Sequence, residues 1–223
     1  MWIRLRFDIA ARDLVFGVWS CGLPGRACRI QPTVEKCWSP GDSTEVVACL
    51  SVRSGFDLLL QALQLPAGSE VLLTALTVPD MARIVRHHGL IPVPADLVPN
   101  GCTPSWDSLE RAISPATRMV VVAHLFGTRI HLDPLLKIAH KHRLMVVEDC
   151  AQAYHGPPYR GHHESDIALF SFGPIKTATA LGGAMMQLRN PDLAHKVRGI
   201  QAAYRMQSRW SYFCRVTRYA VMK

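Results

Sequence analysis

The stretch Val146-Val147-Glu148-Asp149-Cys150-Ala151-Gln152 runs an apolar strand pattern directly into two carboxylates and an amide. A carboxylate at a strand end can cap a helix, ligate a metal, or hydrogen-bond and neutralise a buried heterocyclic cation; Asp149 is the residue placed to do so. A second stretch, Asp166 to Lys176, reads as a short buried strand, a turn and then a single lysine. Schiff-base chemistry needs a neutral amine beside a carbonyl, and partial burial lowers a lysine's pKa enough to supply one. Ser171, at the end of that strand, is placed to donate to a phosphate. A third element, Arg53-Ser54-Gly55, opens a helical stripe in which free N–H groups, a hydroxyl and a guanidinium make an anion site. Alone, each has an ordinary reading: a capping Asp, a surface lysine, a capping Ser. Together, an acid for a ring nitrogen, an amine for an aldehyde and an anion cradle are the three requirements of pyridoxal 5'-phosphate.

These residues need a scaffold that brings strand ends together. From about residue 45, apolar runs alternate with helical patterns, the signature of an α/β domain with a mostly parallel sheet flanked by helices. Expected strands are Glu70–Leu73, Ile91–Ala95, Met119–His124, Met145–Glu148, Ile167–Phe170 and Ala184–Leu188. Several are continuous Val, Met and Ile runs, as strands covered on both faces require. Between them, Phe56, Leu59, Leu60 and Leu63, and again Met81, Ile84, Val85 and His88, repeat at helical spacing, and Trp106–Ile113 and Asp133–His142 supply two more helices. In this architecture ligands gather at the carboxyl edge of the sheet, where Asp149 and Ser171 fall. Residues 1–45, rich in Cys, Trp, Pro and Gly, stand outside this rhythm as an N-terminal extension. The cofactor-binding domain is expected over 46–194 and a basic helical tail over 195–223.

Composition narrows the class. The formal charge is +8, but no acidic residue follows Asp192, and seven basic residues from Lys196 to Lys223 carry most of the excess. The body is therefore nearly neutral, which argues against nucleic acid as a partner; an aromatic and basic tail is better read as a helix awaiting a packing partner. No apolar run approaches the roughly 20 residues needed to span a bilayer, so no integral membrane contact is expected. Seven cysteines form no CxxC pair and the histidine pairs lack zinc spacing; no metal site is expected, and reduced thiols point to the cytoplasm. Cys150 reads as a small buried residue, and His124 as a hydrogen-bonded structural histidine or a site residue.

From about Ser54 to Gly199 the chain resembles the DegT/DnrJ/StrS family of sugar aminotransferases, through Gly68-Ser69-Glu70-Val71-Leu72, Gly89-Leu90-Ile91-Pro92-Val93, the run Val120 to Gly127, Glu148 to Ala153, Asp166 to Phe172, and Lys176 followed by Gly182-Gly183. The resemblance implies the aspartate-aminotransferase-like (fold type I) large domain. It implies that Lys176 forms the Schiff base, that Asp149 pairs with the pyridine nitrogen, that Gln152 lies beside the ring, and that Ser171 and the Ser54-Gly55 turn hold the phosphate. It implies transfer of an amino group, generally from glutamate as amino donor, to a nucleotide-linked keto sugar, in a homodimer. Two departures stand out: Phe56 where the family's phosphate turn has Thr, and Val78 where an aromatic residue usually stacks on the ring. The family also carries a C-terminal domain beyond the point where this sequence stops. A non-catalytic or split remnant that binds cofactor or a partner chain is therefore the alternative, and a dehydratase of the same fold the third reading, against which Lys176 weighs because such relatives carry histidine there.

Overall fold

Strand and helix patterns of this kind bury their apolar faces only by layering, and a computed structural model, which describes residues 9–22, 27–39, 41, 44–99, 101–156 and 159–222, arranges them so. In chain order the elements are α1 (Ala11–Cys21), α2 (Ala27–Trp38), β1 (Glu45–Cys49), α3 (Val52–Leu63), β2 (Glu70–Thr74), α4 (Pro79–His87), β3 (Ile91–Ala95), α5 (Trp106–Arg111), β4 (Thr117–Ala123), α6 (Asp133–His142), β5 (Met145–Asp149), β6 (Ile167–Ser171), β7 (Ala184–Leu188), α7 (Pro191–Ala202) and α8 (Arg209–Met222). One sheet orders the strands β1-β7-β6-β5-β4-β2-β3. Pairings from β6 through β5, β4 and β2 to β3 are parallel, and β7 and β1 add antiparallel partners at one side.

Alternation along each strand divides the core in two. Val71, Leu73, Met119, Val121, Val147 and Leu169 face a layer built with Phe56 and Leu59 of α3, Met81 and Val85 of α4, and Leu193 and Val197 of α7. Leu72, Val120, Val122 and Val146 face the other layer, made with Leu109 of α5 and Leu135, Leu136 and Ala139 of α6. The central strands thus have no polar face, which is why they read as unbroken apolar runs. The carboxyl ends of β4, β5 and β6 finish side by side, with Ala123 opposite Asp149 in the ladder and Asp149 opposite Leu169.

The chain ends depart from the sequence reading in detail. Residues 1–45 contain α1 and α2, and α2 is tied to the edge strand: Glu35 Oε1 accepts the Ala48 N–H at 2.9 Å. Arg198 of α7 donates to Glu45 (2.7 Å), to the Val46 carbonyl (2.7 Å) and to Glu35 (3.4 Å). This covers an otherwise open sheet edge and spends one of the tail's charges inside the fold. Helix α7 also crosses the expected boundary at 194, so the packing of the body continues to Ile200. No helix among the described residues is long and apolar enough to cross a membrane.

Candidate active site

Helix α3 begins at Ser51, whose Oγ accepts the Ser54 N–H at 3.1 Å while Ser54 Oγ accepts the Ser51 N–H at 2.8 Å. This reciprocal cap consumes the Ser54 hydroxyl, which also donates to the Ser51 carbonyl at 2.9 Å. The N–H groups of Val52 and Arg53 precede the helical ladder and remain available to an anion. They stand on the wall of a cavity of about 320 Å³ at the carboxyl edge of the sheet, lined also by Ser51, Thr77, Val78, Ala123, His124, Asp149, Gln152, Ser171 and Lys176.

Lys176, Asp149, Gln152 and Ser171, predicted from two different stretches, therefore share one cavity, while Ser54 and Gly55 do not line it. The start of α3 that lines the cavity is Ser51-Val52-Arg53, whose first residue stands three positions upstream of the predicted Ser54. Ser54 is locked in the cap, and Gly55 faces the sheet, where an added Cβ would sit 3.3 Å from Cys49 Sγ. The missed signal is the Ser51-x-x-Ser54 spacing just ahead of the helical stripe, a capping pattern that marks Ser51 as the first residue of the turn. Replacing Ser51 by alanine should cost about 1 kcal/mol of folding stability in urea titration. It should also weaken binding of a phosphate ligand, which isothermal titration would detect.

Asp149 is buried, and its Oδ1 accepts the Ala151 N–H at 3.0 Å. Burial pushes its carboxyl above the ordinary range, only partly opposed by that hydrogen bond and by Lys176. Lys176 sits in the turn after β6, its N–H donating to the Gly173 carbonyl at 3.1 Å. Burial lowers its amine below the usual lysine value, with Asp149 pulling it partway back. Acid and amine thus each favour the neutral form more than they would in water, at positions close enough to feel each other. Ser171 Oγ accepts only a long contact from the Gly173 N–H, 3.4 Å, so its own proton is available to a ligand. Gln152 Oε1 accepts the Phe126 N–H at 3.0 Å, which fixes the amide and the loop over it.

Beneath these residues lies a buried polar layer. Ile130 N–H donates to His124 Nδ1 (3.0 Å), so the ring carries its proton on Nε2, which donates to Glu148 at 2.9 Å. Glu148 also accepts the His162 N–H at 2.7 Å and the Tyr159 hydroxyl at 3.3 Å. His124, Glu148 and Cys150 are the one trio of potential metal ligands found together among the described residues. Both His124 nitrogens are already spent, and burial pushes the Cys150 thiol well above its ordinary range, so the trio is a hydrogen-bonded support rather than a cation site. Among the described residues the cavity lining contains no Phe, Tyr or Trp, and Val78 stands where the resemblance expects an aromatic ring. A second, larger cavity of about 540 Å³ opens at the opposite strand edge, between Thr44, Asp166 and Arg189, and holds none of the predicted site residues.

Comparison with known proteins relates the chain to aminotransferases in sequence and fold. The chain is 35% identical over 155 residues to GDP-perosamine synthase of Caulobacter vibrioides, covering 68% of this chain and 42% of that protein. It is 31% identical over 203 residues to L-glutamine:2-deoxy-scyllo-inosose aminotransferase of Streptomyces kanamyceticus, covering 87% and 47%. Among solved structures, the aminotransferase from Psychrobacter cryohalolentis superposes with a TM-score of 0.73 at 26% identity, covering 86% of this chain and 51% of that one. The chain thus spans less than half the length of these two curated relatives. The model of the DegT/DnrJ/EryC1/StrS aminotransferase family matches residues 41–215, the whole sheet and every residue of the cavity, and the chain belongs to that family.

Proposed function

We propose that the cavity holds pyridoxal 5'-phosphate and that the chain serves an aminotransferase moving an amino group from glutamate to a nucleotide-linked keto sugar. The observation that carries this reading is the convergence of Lys176 and Asp149, from the ends of different strands, on one cavity beneath the N-terminus of α3. The residues present fit the cofactor. Asp149 is a buried carboxylate whose burial raises its proton affinity, a cost that a cationic ring nitrogen relieves. Ser51, the Val52 and Arg53 N–H groups and Ser171 form an anion cradle on the same wall. When bound, the cofactor supplies an aldehyde for amines and a ring that accepts electron density.

The protein's part is then positional and acid–base. Asp149 keeps a proton on the ring nitrogen. Gln152 stays at the ring's edge because its carbonyl is anchored on Phe126. Lys176 Nζ, whose ammonium form burial disfavours, accepts a proton from the α-carbon of the amino donor. Family membership and the two relatives' names support an activated sugar or a cyclitol ketone as acceptor; one relative's name specifies glutamine as donor. A cytoplasmic homodimer belongs to the same reading, supported by the family resemblance and by free cysteines among the described residues.

Asp149→Asn gives a two-sided prediction. The folded-state pKa of Asp149 is raised, so the residue's contribution to stability is present below its unfolded pKa and lost as pH rises through the folded one. At neutral pH the unliganded variant should therefore be more stable than the parent in urea, while its affinity for the cofactor falls about 10- to 100-fold with loss of a charge-assisted hydrogen bond. The function itself is tested by loading the chain with cofactor and adding glutamate or glutamine while following the visible spectrum. Bleaching by one donor, reversed by a nucleotide-linked keto sugar, is expected. A loaded protein that neither donor alters would instead support the non-catalytic remnant.

A further inference from the structure

The turn carrying Lys176 belongs to an excursion from Phe172 to Gly183 whose neck is closed on one atom. The Phe172 carbonyl accepts the Ala180 N–H at 3.0 Å and the Gly182 N–H at 2.9 Å, and Phe172 N–H donates to Gly183 at 3.0 Å. Between those two amides lies Leu181, 1% exposed, with a φ of 60° that a branched side chain rarely adopts. Such a conformation persists only when the surroundings over-determine it. Those surroundings are neither the sheet nor the main core. Leu181 forms a separate apolar cluster with Leu14 of α1 and Val216 of α8, flanked by Ile9, Tyr212 and Tyr219. Arg215 of α8 donates to the Leu181 carbonyl at 3.4 Å, and its guanidinium lies where a side chain on Gly182 would collide. Gly17 of α1 faces Val216, and a Cβ there would sit in ordinary contact with it at 3.4 Å.

We infer that α1 and α8 form a strap that closes over Leu181 and fixes the loop carrying Lys176. Leu181, Val216 and Arg215 are positioning residues: none lines the cavity, and they act through the neck of the loop. Helix α1 precedes residues 41–215, the range matched by the family model, and α8 runs past its end. The two helices are distant in sequence, and the strap therefore makes the lysine's position depend on α1 and α8 both being docked. The consequence for Lys176 rests on the cofactor reading above; the holding of the loop does not.

The test is Val216→Ala in the full chain, with Leu181→Met as the volume-conserving companion, read by hydrogen exchange and by titration with pyridoxal 5'-phosphate. Exchange of the Ala180 and Gly182 amides should quicken about tenfold in Val216→Ala while amides of β4 stay as in the parent. The midpoint for appearance of the visible band should move to roughly tenfold higher cofactor concentration. Leu181→Met, which keeps the volume at that site, should leave both readouts close to those of the parent. Unchanged exchange at Ala180 and Gly182, or exchange quickened equally throughout the sheet, would overturn the strap. A parent that forms no band at all would count against the cofactor reading, while the exchange result would still decide whether α1 and α8 hold the loop.

Discussion

Replacing Lys176 by alanine is expected to abolish the visible band that the protein acquires with pyridoxal 5'-phosphate and to slow amino transfer by about 10²- to 10⁴-fold or more, the range for loss of a positioned acid–base group. The expectation follows from the amine's surroundings rather than from its being a lysine. Burial in the turn after β6 disfavours the ammonium form, and Asp149 offsets this only in part, so the amine's pKa lies below that of a solvated lysine. Alanine removes the amine but leaves Asp149, Ser171 and the N-terminus of α3 in place, so equilibrium dialysis should still find cofactor bound without the band. A band that survives the substitution would assign the chemistry to another amine.

The second large effect concerns stability. Glu148→Ala should destabilise the fold by about 3–5 kcal/mol, measured by urea unfolding, because it strips a buried carboxylate from partners that stay buried. His124 Nε2 would lose its acceptor at 2.9 Å, the His162 N–H its acceptor at 2.7 Å and the Tyr159 hydroxyl its contact at 3.3 Å. The sign with pH is fixed by the direction of the shift. Burial pushes Glu148 up, but the donors around it, His124 foremost, outweigh this and hold the folded pKa below the ordinary value of 4.5. Its contribution is therefore present above the unfolded pKa and lost as pH falls through the folded one. The parent should lose stability across that acidic window, and Glu148→Ala should show a flatter dependence there. Neighbouring Asp149 has the opposite sign, so the two adjacent carboxylates divide the work: Glu148 stabilises the support under the cavity, and Asp149 is held at a cost until a cation meets it.

How far the sequence reveals this arrangement depends on whether the signal is local. The strands buried on both faces are legible because nothing polar interrupts them; Met145–Glu148 differs from β5 by one residue, and Met119–His124 is displaced from β4 by two residues at its start and one at its end. Strand β1 is not legible. Its five residues, Glu45–Cys49, carry no clear alternation, and they become a strand only through β7, far along the chain, with Glu35 and Arg198 covering its outer edge. Helices α1 and α2 are hidden by their Cys, Trp and Gly content and by Pro32 inside α2, and their partners lie on α8 and β1.

The site divides along the same line. Asp149, Gln152, Ser171 and Lys176 stand at the ends of strands, or just beyond them, that read as members of a mostly parallel sheet, so their meeting at one carboxyl edge is legible. The start of α3 is less legible because its apolar stripe begins at Phe56, while the cap that defines it is the polar pair Ser51 and Ser54, so the cavity is lined from Ser51, three residues upstream of Ser54. The dependence of the Lys176 loop on α1 and α8 had no local signal, since it is written in a positive φ at Leu181 and in contacts between the two ends of the chain.

The most direct test of the central claim is to saturate the protein with pyridoxal 5'-phosphate, reduce it with borohydride and locate the labelled lysine by peptide mass mapping. A single pyridoxyl label on Lys176, absent from the Lys176→Ala variant, is the expected result. A label spread over surface lysines, or confined to one outside the cavity, would contradict it.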